Sequence, residues 1–186
     1  MTVLVAYASR HGATRGVAER IGARLVSRGL TIHLDPLLGQ EEVTRFEAVV
    51  IGSPVYSGHW EDEAVAFIRR NAGPLTGHPV WTFSVGWLAH HRGVLHRESW
   101  SDAKGLAQLD QLLPAREHRF FAGAMAPAET QILRRLAFRL AGGRYGDFRD
   151  WDAIDAWADE IAHQLTAPDQ TPAMHARPEV DHPADG

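Results

Sequence analysis

Five short apolar, β-rich runs, at 3–7, 31–34, 48–52, 80–85 and 120–125, are spaced along the chain with helical patterns between them. Successive side chains of a strand point to opposite faces of a sheet, so a strand that is apolar at consecutive positions is covered on both sides. That condition selects a parallel sheet flanked by helices over a half-exposed antiparallel one. The intervening segments supply the helices. Val17, Ala18, Ile21, Leu25 and Val26 share one side of a first helix, with Thr14 at its expected N-cap. A second is expected over 61–70 with Val65 and Ile68 as anchors, and a third over 102–113 with Leu106, Leu109 and Leu113. The last starts at Asp150 and brings Ile154, Trp157, Ala158, Ile161 and Leu165 to one face. This alternation predicts an α/β doubly wound fold with a five-stranded parallel sheet, in which ligands bind beyond the carboxyl ends of the strands.

The chain of 186 residues suits one domain, expected over 1–165. A helical pattern over 127–143 exceeds the minimal alternation and reads as an inserted helix after the fifth strand. At the end, 166–186 carries Pro168, Pro172, Pro178 and Pro183 among polar residues, so a disordered C-terminal tail is expected. Acidic residues outnumber lysine plus arginine, for a net charge of -4, which gives no overall basic field for nucleic acid. Without cysteine the chain has no disulfide, no thiolate nucleophile and no thiolate-ligated metal, so redox chemistry requires a cofactor. The opening MTVLVAY lacks the basic and long apolar segments of a signal peptide, and no stretch reaches the ~18 apolar residues of a membrane span. A cytoplasmic protein is expected.

Three loops carry candidate chemistry. Ser9, Arg10, His11, Gly12, Ala13 and Thr14 lie between the first strand and the first helix. A helix N-terminus offers unpaired N–H groups and the positive end of its dipole, and Gly12 permits close backbone approach, so this hexapeptide suits a phosphate. It matches neither the triphosphate loop G-x-x-x-x-G-K-[ST] nor the dinucleotide fingerprint G-x-G-x-x-G. At the end of the third strand, Pro54, Val55, Tyr56, Ser57 and Gly58 lead to His59 and Trp60; at the end of the fourth, Ser84, Val85, Gly86 and Trp87 form a second aromatic loop. Both offer flat faces for a planar heterocycle. The plainer reading of each loop is a turn, with a capped helix start in the first case and a core tryptophan in the other two.

Together these loops resemble the flavodoxin family over roughly residues 2–165. In that family a hydroxyl-x-x-Gly-x-Thr loop binds the FMN phosphate and the next two loops sandwich the isoalloxazine, so the resemblance implies an FMN protein whose cofactor contacts are the residues just named. Within the superfamily, Ser9-Arg10, Gly58-His59-Trp60, Phe83-Ser84-Val85, Phe121-Ala122-Gly123-Ala124-Met125, Gly142-Gly143 and Asp150-Trp151 look most like the menaquinone-dependent protoporphyrinogen oxidases. The departures are His11, where that group usually has an acid, and Tyr56-Ser57, where arginine then tyrosine is expected.

The inserted helix places Arg134, Arg135, Phe138 and Arg139 on one side and Leu133, Leu136, Ala137 and Leu140 on another. Under the resemblance, Arg134, Arg135 and Arg139 are candidates for meeting substrate propionates or the headgroups of a membrane holding quinone; otherwise they form a solvated helix face. His90, His91 and His96 lack metal-ligand spacing and no metal is expected; surface histidines or a proton shuttle near the flavin remain open. The resemblance implies an FMN-dependent, quinone-linked oxidoreductase acting on protoporphyrinogen IX or a similar small molecule, with possible peripheral membrane association. The alternatives are an electron-transfer flavodoxin serving a protein partner through an acidic docking face, and a flavodoxin-like binding module without flavin.

Overall fold

The computed structural model describes residues 1–37, 42–86, 112–125 and 146–167. In chain order the elements are β1 (Thr2–Tyr7), α1 (Ala13–Ser27), β2 (Thr31–Asp35), a 3₁₀ turn (Val43–Arg45), β3 (Ala48–Tyr56), β4 (His59–Trp60), α2 (Asp62–Arg70) and α3 (Ala72–Thr76). They continue with β5 (Val80–Gly86), β6 (Glu117–Ala122), β7 (Ala124–Met125), β8 (Gly146–Asp147) and α4 (Trp151–Thr166).

Five strands form a parallel sheet in the order β2-β1-β3-β5-β6. The α/β doubly wound expectation is met, and the inner strands are the ones with continuous apolar runs; β2, expected to be covered on both faces, is instead an edge strand with Thr31, His33 and Leu34 exposed. Val3 to Ala6 and Ala48 to Ile51 are wholly buried because helices cover both faces. On one face α1 and α4 pack Val17, Ile21 and Leu25 with Ile154, Trp157 and Ile161 over Val5, Val50 and Phe83. On the other, α2, α3 and the 3₁₀ turn bring Phe67, Ile68, Leu75 and Val43 onto Leu4, Val49 and Ile51. Three arginines one helical turn apart tie α1 to α4: Arg20 clasps Asp155, while Arg24 and Arg28 both clasp Asp159, each through paired bonds of 2.6–2.8 Å.

The chain leaves β1 for β2 on one side and returns to β3 on the other, so the carboxyl ends of β1 and β3 flank the crevice where an open α/β sheet receives its ligand. Ala8 N–H donates to the Gly52 carbonyl at 2.9 Å, joining the two strand ends at that crevice.

Several boundaries differ from the sequence expectation for physical reasons. β3 runs four residues past Gly52, through Pro54. Gly52 faces β1 and Pro54 shares its parity; β1 has already ended opposite Gly52, so the missing proline N–H forfeits no ladder bond. The last sheet strand, β6, begins at Glu117 instead of 120, because an edge strand tolerates polar residues that a central strand does not. Phe120 and Phe121 belong to β6, but Ala124–Met125 turns away to pair antiparallel with Gly146–Asp147. The second helix starts at Asp62 with Glu61 as its N-cap, and its buried residues are Ala64, Phe67 and Ile68, with Val65 only partly covered. Asp150 is the N-cap of α4 as expected, its Oδ1 accepting from Ala153 N–H at 3.0 Å. The helix expected over 102–113 falls, except for Leu112 and Leu113, outside the described residues, as do the inserted helix over 127–143 and residues 168–186.

Candidate functional site

The first wall of the crevice is the loop from β1 to α1. Gly12 caps α1 with φ +81°, a left-handed conformation that glycine adopts without strain, and a Cβ there would have open space around it. Thr14 is therefore not the N-cap; it lies inside the first turn, 1% exposed, because the helix begins at Ala13. The Ser9 hydroxyl reaches back to accept the Arg15 N–H at 3.3 Å, satisfying one of the orphan donors of the first turn. Ala13 and Thr14 N–H, also in that turn, have no intrahelical acceptor. The first turn holds no acidic residue, so no carboxylate from its own side chains compensates the positive end of α1. An anion with several acceptor oxygens matches this donor set.

The second wall is a hairpin. β3 and β4 pair Tyr56 with His59 across the two residues Ser57 and Gly58, whose φ values of +51° and +81° are those of a type I′ turn. The turn lifts Tyr56 out of the sheet edge, 45% exposed, while Pro54 and Val55 before it are buried. Arg10 from the first loop crosses to this hairpin: its guanidinium lies 5.9 Å from the Tyr56 ring centre and pairs at 3.0 Å with Glu61, a carboxylate only 10% exposed. Burial pushes the Tyr56 hydroxyl above its ordinary pKa, with the Glu61 charge acting in the same direction and Arg10 opposing.

The third wall, at the end of β5, is built differently from its sequence reading. Ser84 is fully buried and its hydroxyl accepts the Trp60 indole N–H at 2.7 Å. Trp60 is accordingly a buried strut between the second and third loops and not an exposed stacking face. Val85 is buried as well. Gly86 leaves room for the Phe120 ring, which a Cβ would meet at 2.7 Å, and its carbonyl accepts Gly123 N–H at 2.8 Å. Gly52 plays the same part for Phe83, whose ring carbons would lie 2.0–2.5 Å from an added Cβ.

The structure thus gathers Ser9, Arg10, His11, Gly12, Ala13, Thr14, Tyr56, Ser57 and Gly58 at one edge, with Ser84 and Val85 behind it. Trp87, the histidines 90, 91 and 96, and Arg134, Arg135 and Arg139 lie outside the described residues. Sequence reasoning missed Glu61; its signal was a carboxylate directly after an aromatic strand end and before a helix, where its backbone carbonyl accepts the first N–H groups of α2 and its side chain is left to reach Arg10. Among the described residues no three His, Asp or Glu side chains are grouped to hold a metal ion, and no helix is long and apolar enough to cross a membrane.

A family profile described as a flavodoxin domain matches residues 4–144. The chain belongs to the flavodoxin family. Among solved structures it is similar to the Streptococcus pneumoniae TIGR4 flavodoxin, at 15% identity and TM-score 0.59, covering 88% of this chain and 99% of that one. It is also similar to oxidised Flavodoxin 1 from Bacillus cereus, at 13% identity and TM-score 0.57, covering 89% and 100%. Rubredoxin oxygen:oxidoreductase from Desulfovibrio gigas is matched at 14% identity and TM-score 0.50, covering 89% of this chain and 36% of that one. No curated protein matches the chain. Flavodoxin-family membership makes FMN the cofactor, and the edge just described fits it: the left-handed Gly12 and open donors of α1 suit a phosphate, and the hairpin offers an aromatic face for the ring.

Proposed function

We propose that this flavodoxin-family protein is an FMN-dependent oxidoreductase that takes electrons from a reduced organic substrate, protoporphyrinogen IX by resemblance, and passes them to a quinone. The observation that carries the reading is the rim of the crevice: beside the Tyr56 ring wall stands the Arg10 guanidinium, 68% exposed, a cation suited to a flat substrate bearing carboxylates. Bound FMN supplies the two-electron redox chemistry. Ser9, Thr14 and the first-turn N–H groups hold its phosphate, Tyr56 walls its ring, and Glu61 fixes Arg10 so that the cation stays over the hairpin. The buried Trp60–Ser84 bond keeps the second and third loops at a set separation. Association with the membrane surface, through Arg134, Arg135 and Arg139, brings the protein to its quinone.

A second reading, an electron-transfer flavodoxin for a protein partner, is supported by the similar solved structures that carry the flavodoxin name. The two separate in one anaerobic experiment. Protoporphyrinogen should bleach the flavin absorbance of the FMN-loaded protein and menaquinone should restore it. A flavin that neither compound affects, but that a reductase protein reduces, would replace the enzyme with the carrier.

A further inference from the structure

We propose that Arg149 is a phosphate-anchoring residue of the FMN site, delivered to the first turn of α1 by the segment that precedes α4 and admitted there by Gly16. The inference rests on the FMN phosphate lying at the start of α1.

The segment hangs from the same sheet edge as the three loops. Gly123 N–H donates to the Gly86 carbonyl at 2.8 Å, and Phe148 N–H donates to the Gly123 carbonyl at 3.3 Å. Arg149 is then fixed on three sides. Its Nε and Nη2 donate to Asp147 at 2.8 and 2.5 Å, its backbone N–H donates to the same carboxylate at 3.1 Å, and its guanidinium lies 4.4 Å from the Trp151 ring centre. The bond to Asp147 holds the guanidinium firmly protonated, and that carboxyl is held below the usual carboxylate range by the same bond.

The third nitrogen, Nη1, has no acceptor among the described residues and stands against α1, where a Cβ on Gly16 would lie 2.2 Å from it. Helical Cα–Cβ bonds tilt toward the N-terminus, so this nitrogen lies beside the turn that begins at Ala13. A guanidinium next to the positive end of a helix is opposed by the dipole, whereas a phosphate at the same end turns that opposition into attraction. Gly16 also breaks a rule of helix composition, since glycine inside a helix is less stable than alanine; at this position it makes the room Arg149 occupies.

The test uses the full chain freed of flavin and titrated with FMN and with riboflavin, which lacks the phosphate. Arg149→Gln should weaken FMN binding by about tenfold or more and leave riboflavin within about twofold, as loss of one charge-assisted phosphate contact requires. Gly16→Ala, whose methyl displaces the guanidinium, should reproduce that selective loss, and the double variant should be no weaker than Arg149→Gln alone. Equal losses for FMN and riboflavin would overturn the proposal and leave Arg149 as a strut for the segment. If Thr14→Ala lowered the FMN-to-riboflavin ratio and neither Arg149→Gln nor Gly16→Ala did, the phosphate would lie at α1 without Arg149. If none of the three changed the ratio, the placement of the phosphate itself would fail. Should Arg149→Gln not fold, the Gly16→Ala ratio decides alone.

Discussion

Ser84→Ala separates the structural role of the third loop from a cofactor role. Trp60 Nε1 donates to Ser84 Oγ at 2.7 Å, with Ser84 fully buried and Trp60 nearly so. Deleting the hydroxyl removes one small atom, so the cavity term is slight, but the indole N–H loses its acceptor where water does not reach. A buried donor left unsatisfied costs about 1–3 kcal/mol. For a chain of this length each kcal/mol lowers Tm by about 2–4 °C, so a fall of roughly 2–12 °C is expected in a calorimetric melt of the flavin-free protein. FMN affinity, measured by quenching of flavin fluorescence, should change by less than about tenfold, because the lost group faces Trp60 and not the crevice. Trp60→Phe should also destabilise, and the double variant should be better than the sum of the two by about 0.5–3 kcal/mol, the usual coupling between contacting residues. A Ser84→Ala protein that melted like the wild type yet bound FMN more than about tenfold worse would refute this reasoning and return the hydroxyl to the cofactor.

Thr14→Ala should weaken FMN binding roughly tenfold to a hundredfold, the cost of one hydrogen bond to a charged group, and an unchanged Kd would place the phosphate elsewhere. Tyr56→Ala should both lower affinity and relieve the quenching of flavin fluorescence; wild-type values for both would remove Tyr56 from the ring wall. Bonds from Arg24 and Arg28 hold the Asp159 carboxyl far below its ordinary range, and a bond from Arg20 lowers Asp155. A carboxyl whose pKa is lower folded than unfolded stabilises the fold above the unfolded pKa and loses that contribution as pH falls through the folded one. Urea midpoints should therefore drop below about pH 4, and less steeply in Asp155→Asn/Asp159→Asn; identical slopes would deny these pairs a part in acid stability. Replacing Arg134, Arg135 and Arg139 together by glutamine should leave FMN affinity intact while raising the KM for porphyrinogen or weakening liposome association, and wild-type behaviour in both assays would favour the electron carrier.

Burial on two faces writes itself into consecutive residues, which is why the inner strands β1, β3 and β5 were legible in runs such as VLVAY and AVVIG. Helical spacing likewise exposed α1 and α4, and a residue such as Asp150 caps its own helix through a bond three residues away, so its role is readable locally. Since α/β sheets bind at the carboxyl ends of their strands, the order of elements also placed the three loops on one edge before any contact was known. The edge strand β6 was harder, because it is covered less completely and its polar Glu117–Arg119 start leaves no apolar run. Which neighbour each residue meets was decided only by the sheet order and the packing of side chains far apart in the chain. In the sequence Gly52 ends a strand run and Gly86 belongs to an aromatic loop, yet each is small because a phenylalanine ring from the neighbouring strand occupies the space. Ser84 looks like a cofactor hydroxyl but turns to Trp60, and Arg149 meets Gly16 from the opposite end of the chain. Periodicity reports how deeply a position is buried, whereas the partner at that position depends on contacts that no local pattern encodes.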